Sequence, residues 1–303
     1  MIDDSTRLRK LHMPGSILVL GVFVALSLTA VGVARHPESV QGTGKRLLQI
    51  EIALLLAYGL AGVWAWLQRR TEVILSLRGG TLIGVLFGAV LVANHTVESY
   101  VHHRPFILII LPVFLALALF GAAGSKAREG TGSLGLAIAA GEWCAMVGML
   151  TLLCVVFSAN LVFERNAELQ MSEAFATSGL SDPGVFLVRN TLEAASEGLV
   201  RMPILALVLS FIGAAANTWM SKASRRTLLL AACLAPFVFV AGAAALWHAD
   251  SLERAARPPF VMSGVALAGL ALCVAHPLWS SWHRAGGMTS DTAISPSART
   301  LRN

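Results

Sequence analysis

The sequence predicts an all-α, polytopic membrane protein: a bundle of about eight transmembrane helices with an amphipathic helical segment on the outer side. Of 303 residues, 56% are hydrophobic and only 13% charged, against roughly 25% charged in an ordinary soluble domain. The mean hydropathy is +0.70. The apolar residues also fall into blocks of about 20, the length a helix needs to cross a hydrocarbon core of roughly 30 Å. Barrel strands alternate over about 10 residues, whereas these blocks are apolar on every face, which selects helices.

Eight blocks have this character: 14–34, 47–67, 79–101, 105–123, 133–163, 202–220, 227–248 and 260–282. The first follows "RLRK", and Gly32 and Ala34 would suit a signal-peptide cleavage site. Its apolar run is longer than a signal h-region, so a retained helix is expected. The second carries Glu51 one turn inside its outer end. The third opens "GGTLIGVLFG", with Gly80, Gly84 and Gly88 four residues apart, the small-xxx-small pattern that lets two membrane helices approach closely. The fourth starts at Pro105. The fifth has 31 residues, long enough to slide until Glu142 reaches the inner surface. The remaining three follow Pro203, a basic "SKASRR" loop and "RPP".

Only one connection is long. Residues 164–201 carry six of the seventeen acids. Their first part has helical composition and is expected to stop near Gly179, after which "SDPG" restarts a helix with Ser181 or Asp182 as cap and Pro183 in its first turn. From Val185 to Val200 the pattern is amphipathic but too polar to span, which predicts an outer interfacial or re-entrant helix. Residues 1–285 are expected to be one transmembrane domain, and 286–303 a disordered polar tail. A weak internal repeat relates 79–128 to 183–226: "HTVE" and "NTLE" each lead through an Arg and a Pro into an apolar helix ending in "GAA" and "SK".

The charge balance of +6 sits in short basic pairs between spans and not in a nucleic-acid module, which the loops are too short to hold. With both termini in the cytoplasm, fourteen Lys and Arg lie on the inner side and nine on the outer. That is the positive-inside bias, and the composition suits a bacterial inner membrane. Cys144, Cys154, Cys233 and Cys273 all fall inside spans without a CxxC pair, and so are expected as small core residues.

Ionisable residues in spans are costly and therefore the first candidates for function. In "NHTVESYVHHRP", residues 94–105, His95 lies within about 20° of Gly84 and Gly88 around the helix. Glu98 and His102 follow on the same face. The polar and glycine faces coincide, which aims these groups at a neighbouring helix or a cavity. His95, Glu98 and His102 are also the best metal-ligand set, although the two histidines are about 10 Å apart along the axis and do not suit one ion together. Glu51 is expected either to pair with Arg104 or His102 or, more in keeping with its position, to snorkel to the interface. Glu142 is the deepest acid by position, and Glu193 and Glu197 form a paired acidic face one turn apart.

No cofactor is expected, with a metal ion the one exception kept open; haem is disfavoured because His276 lies at the inner end while His95, His102 and His248 lie at the outer. Walker A, GxSxG and EF-hand signatures are absent, as is a GxGxxG at a strand-to-helix turn. The expected partners are the lipid bilayer and other membrane subunits or further copies of the chain, not nucleic acid. The leading functional expectation is a transport or permeation component, or membrane subunit of a complex, with an outward-facing His/Glu-lined cavity. Two other classes fit the same residues: a membrane enzyme using Glu98 and His102 at the outer surface, and a structural or assembly protein. The absence of catalytic signatures tilts the balance away from an enzyme.

Overall fold

The computed structural model of the chain describes residues 13–100 and 106–219. The expected spans at 227–248 and 260–282, the tail, His102 and Arg104 lie outside the described residues. Within them the chain is helical, with no strand. α1 (Met13–Arg35) leads through a 3-10 turn (Pro37–Val40) to α2 (Thr43–Leu67), α3 (Thr71–Tyr100), α4 (Phe106–Thr131) and α5 (Leu134–Val162). Two short helices, α6 (Glu164–Gln170) and α7 (Ser172–Ser178), then precede α8 (Pro183–Trp219). Five of these, α1, α2, α3, α5 and α8, are long and apolar enough to cross a membrane. The protein is thus an all-helical, multi-pass membrane protein. Five spans stand on the described residues, and the expected total of eight depends on segments beyond them.

A helix apolar all round belongs in the middle of a bundle, and α5 is that helix. It buries Ala137, Trp143, Cys144, Val147, Leu150 and Phe157 on different sides and packs against α1, α3, α4 and α8. Ser133 starts it, its hydroxyl accepting from the Leu136 amide at 3.4 Å, just after Gly132 has turned the chain at φ 68°. α3 is the second internal helix, 72% of its membrane-length window being buried.

The two internal helices run in the same direction in close contact. A Cβ on Gly84 would stand 2.6 Å from the Cys144 carbonyl oxygen, and one on Gly88 would stand 2.9 Å from that of Gly148. Gly80 meets Ala140 in the same way. The glycine stripe therefore faces α5, where its missing side chains let the backbones approach. The Trp143 indole N–H spans the contact, donating to Thr81 Oγ1 at 2.8 Å.

α1 and α2 form a hairpin on one flank, packed tightest where Gly15 of α1 meets Gly62 and Trp66 of α2. Leu20, Phe23, Leu56, Leu60 and Trp64 on its other side are exposed, the surface expected toward lipid. The inward face of α2 is a stripe at three- and four-residue spacing: Glu51, Leu55, Tyr58, Gly62 and Ala65, all buried.

The outer-side segment differs from its expectation. α6 and α7 break at Met171, and Gly179 stops the second with φ 72°. Asp182 then caps α8, its Oδ1 accepting from the amides of Gly184 (2.7 Å) and Val185 (3.2 Å). From there α8 runs unbroken for 37 residues. Residues 185–200 are therefore not a separate interfacial helix ahead of a span at 202. They are its N-terminal half. The apolar stripe of this half, Val188, Leu192, Ala195 and Leu199, is buried in one cluster with α1, α2, α5 and the start of α3. The repeat-related stretches have different backbones, 79–128 being two helices and 183–219 one.

Candidate functional site

The ends of α1, α5 and α8 that carry Arg35, Phe163 and Pro183 gather at one end of the bundle, the outer end under the charge-based orientation. Arg35 Nη1 donates to the Leu161 carbonyl at 2.9 Å and lies 3.7 Å from Glu164 Oε2. His36 Nε2 is 2.6 Å from Glu164 Oε1. Gly184 sits against the His36 ring so closely that any Cβ there would collide with it. A turn below, Asn160 of α5 donates to Thr191 Oγ1 of α8 at 3.2 Å.

Deeper still lies the one fully buried acid among the described residues. Glu51 is two turns along α2, about 12 Å from its first residue, and is 0% exposed. Its Oε1 accepts from the Thr29 hydroxyl of α1 at 2.8 Å, across the hairpin. Its Oε2 is buried without a hydrogen-bond partner among the described residues. This overturns the expected snorkelling: the carboxylate points along the inward stripe of α2, and a helix rotation that puts Leu55 and Tyr58 in the core takes Glu51 with them. Among the described residues its partner is a hydroxyl on α1. Arg104 and His102, the expected partners, lie outside the described residues.

The remaining candidates are spread over other surfaces. His95 is half-buried near the outer end of α3, on the helix whose glycines face α5. Glu98 belongs to the same helix, its side chain outside the described set, so the proposed metal trio of His95, Glu98 and His102 falls mostly beyond view. Among the described residues no three His, Cys, Asp or Glu converge. Glu142 is half-buried, two turns from the inner end of α5. Glu193 and Glu197 are exposed on α8, and Glu197 pairs with Arg201 at 3.1 Å.

Sequence spacing gave little warning of one further contact. The Tyr58 hydroxyl donates to the Leu199 carbonyl at 2.8 Å. Pro203 stands four residues after Leu199, inside α8, and has no N–H to offer that carbonyl. The tyrosine of α2 supplies the donor that the proline removes, in a bundle where an unmet backbone group is expensive. The signal for it was Pro203 within a helical stretch, together with a single tyrosine on a neighbouring inward face.

No family model, curated protein or solved structure matches the chain.

Proposed function

We propose that the protein is a transport or permeation component of a bacterial inner membrane, acting alone or as the membrane subunit of a complex, with both termini cytoplasmic. Glu51 is the residue on which it handles a proton or small cation. The observation that carries this reading is a carboxyl with no exposure, in a spanning helix, held by one hydroxyl and with its second oxygen unmet among the described residues. Such a group costs several kcal/mol in a bilayer and is retained where it is used. Thr29 fixes the carboxyl's orientation from the neighbouring helix, and the unmet oxygen is where an arriving proton or cation would be held. His95, Glu98, Glu193 and Glu197, in the outer halves of α3 and α8, are further candidates.

The test is reconstitution of the purified chain in vesicles loaded with a pH-sensitive dye, under an imposed potential, with sodium and potassium gradients run in parallel. Glu51→Gln keeps the shape and the hydrogen-bonding capacity while removing the charge, and is expected to abolish the flux with folding intact. Flux at the wild-type level in that variant would overturn the assignment.

A further inference from the structure

Pro203 divides α8 between two separate packing environments. Toward the outer end, Val188, Leu192, Ala195 and Leu199 belong to a core shared with α1, α2, α5 and the start of α3. Toward the inner end, Ala206 belongs to a different core, built from α3, α4 and α5. There Ser210 sits on Gly124 and Gly141, Gly213 on Gly121, and the Asn217 amide donates to the Ser125 carbonyl at 3.0 Å. The helix thus changes neighbours where its own hydrogen-bond ladder lacks a rung. Prolines at such positions are the usual place for a helix to bend.

The missing rung is replaced from α2 by Tyr58. Tyr58 follows Glu51 by seven residues, two helical turns, so the two side chains leave α2 within about 20° of each other. Glu51 is tied to α1 through Thr29, and Tyr58 is tied to α8 through Leu199. One face of α2 therefore holds both the buried acid and the donor that closes the gap in α8.

Resting on the assignment of Glu51 made above, we propose that α8 hinges at Leu199–Pro203 and that the Tyr58 hydroxyl is the latch. Filling or emptying the Glu51 carboxyl displaces the shared face of α2, releases or remakes the Tyr58 bond, and swings the outer half of α8 while the inner half stays docked on α4. A small local change becomes a rigid-body motion because each half of α8 is packed as a unit.

The experiment uses the full-length chain with its native cysteines replaced and pairs of spin labels on exposed sites. One pair, at Lys45 and Ala194, reports the outer half of α8 against α2; the other, at Lys126 and Val208, reports the inner half against α4. Tyr58→Phe is expected to shift the outer-pair distance distribution toward a second population. The expected change is about fivefold in the ratio of the two arrangements, the effect of one hydrogen bond, with the inner pair unchanged. Pro203→Ala restores the N–H to the Leu199 carbonyl and makes the latch redundant. It is expected to give a single outer-pair distance with or without Tyr58, and it tests the hinge even if Tyr58→Phe does not fold.

Equal distributions in Tyr58→Phe and wild type, or a Tyr58→Phe shift that Pro203→Ala leaves in place, would overturn the hinge. Loss of flux in Glu51→Gln alongside an inert Tyr58→Phe rejects the latch and keeps the ion-handling role. Intact flux in Glu51→Gln alongside a Pro203-dependent shift does the reverse.

Discussion

Replacing Glu51 by methionine separates a functional acid from a structural tie. Methionine has similar length and fills irregular apolar space well. Wild type bears the cost of an acid in a spanning helix, about 2.5–3.5 kcal/mol for Asp at the centre on the insertion scale. Glu51 is about 12 Å from the outer end of α2, so a value near 2 kcal/mol is appropriate. Against this stands one hydrogen bond from Thr29, worth about 0.6 kcal/mol on average between membrane helices. Once the carboxyl is gone, the Thr29 hydroxyl is able to turn to the carbonyl four residues earlier, as Thr81 and Thr191 already do. The net expectation is a gain of about 1 kcal/mol on Glu51→Met, a rise of about 2–4 °C in unfolding midpoint, accompanied by loss of flux. Thermal unfolding of the purified variant in lipid nanodiscs measures it. A variant destabilised by 1 kcal/mol or more would refute the reasoning, because the carboxyl would then be holding α1 to α2.

The same balance predicts that Thr29→Val destabilises wild type by about 1–3 kcal/mol, leaving a buried carboxyl with no partner, and is neutral in a Glu51→Met background, as a double-mutant cycle in the same assay will show. At the α3–α5 contact, Gly84→Ala places a methyl against the Cys144 carbonyl and should cost about 1–3 kcal/mol by overpacking; an unchanged midpoint would mean that α3 can shift freely. At the outer end, Gly184→Val should displace the His36 ring and match His36→Ala in stability, both effects staying near 1 kcal/mol because the His36–Glu164 pair is partly solvated; a valine variant much worse than the alanine one would locate the strain elsewhere. Under the charge-based orientation, single cysteines at Gln41 and Ser181 should react with an impermeant thiol reagent added to the outer side and one at Gln68 only after the membrane is opened. The reverse labelling pattern would invert the orientation.

Much of the fold was legible because hydrocarbon leaves the chain few options: block length located α1, α2 and α5 to within four residues, and α3 except for its first eight, and "SDPG" and Gly179 marked real helix boundaries. The glycine spacing of α3 pointed correctly to a close helix contact. What failed was depth. Residues 185–200 look too polar to sit within the bundle when Arg189, Glu193 and Glu197 are weighed as an average, whereas the packing is decided by Val188, Leu192, Ala195 and Leu199 on another face. Glu51 was misplaced for the related reason that distance from a helix end says how deep a residue is and not which way it faces. Its rotation is set by Leu55, Tyr58, Gly62 and Ala65, whose inward role is fixed by α1, against which Gly62 packs, and by α8, a helix more than a hundred residues later in the chain that accepts from Tyr58. Tyr58 itself was missed because its partner is a backbone atom, invisible to any search for side-chain motifs.

The parallel contact between α3 and α5 also bears on how the molecule is made. A ribosome delivers α3 well before α5, with α4 between them, so the glycine groove must wait unoccupied until its mate arrives. Over that interval the nascent chain is a clasp without its pin, held in place by the translocon or by lipid. Insertion of α5 is then the event that commits α3, α4 and the α1–α2 hairpin to a common structure. Truncations ending before residue 134 should accordingly behave as loose hairpins and fall to quality-control proteases, however hydrophobic they are.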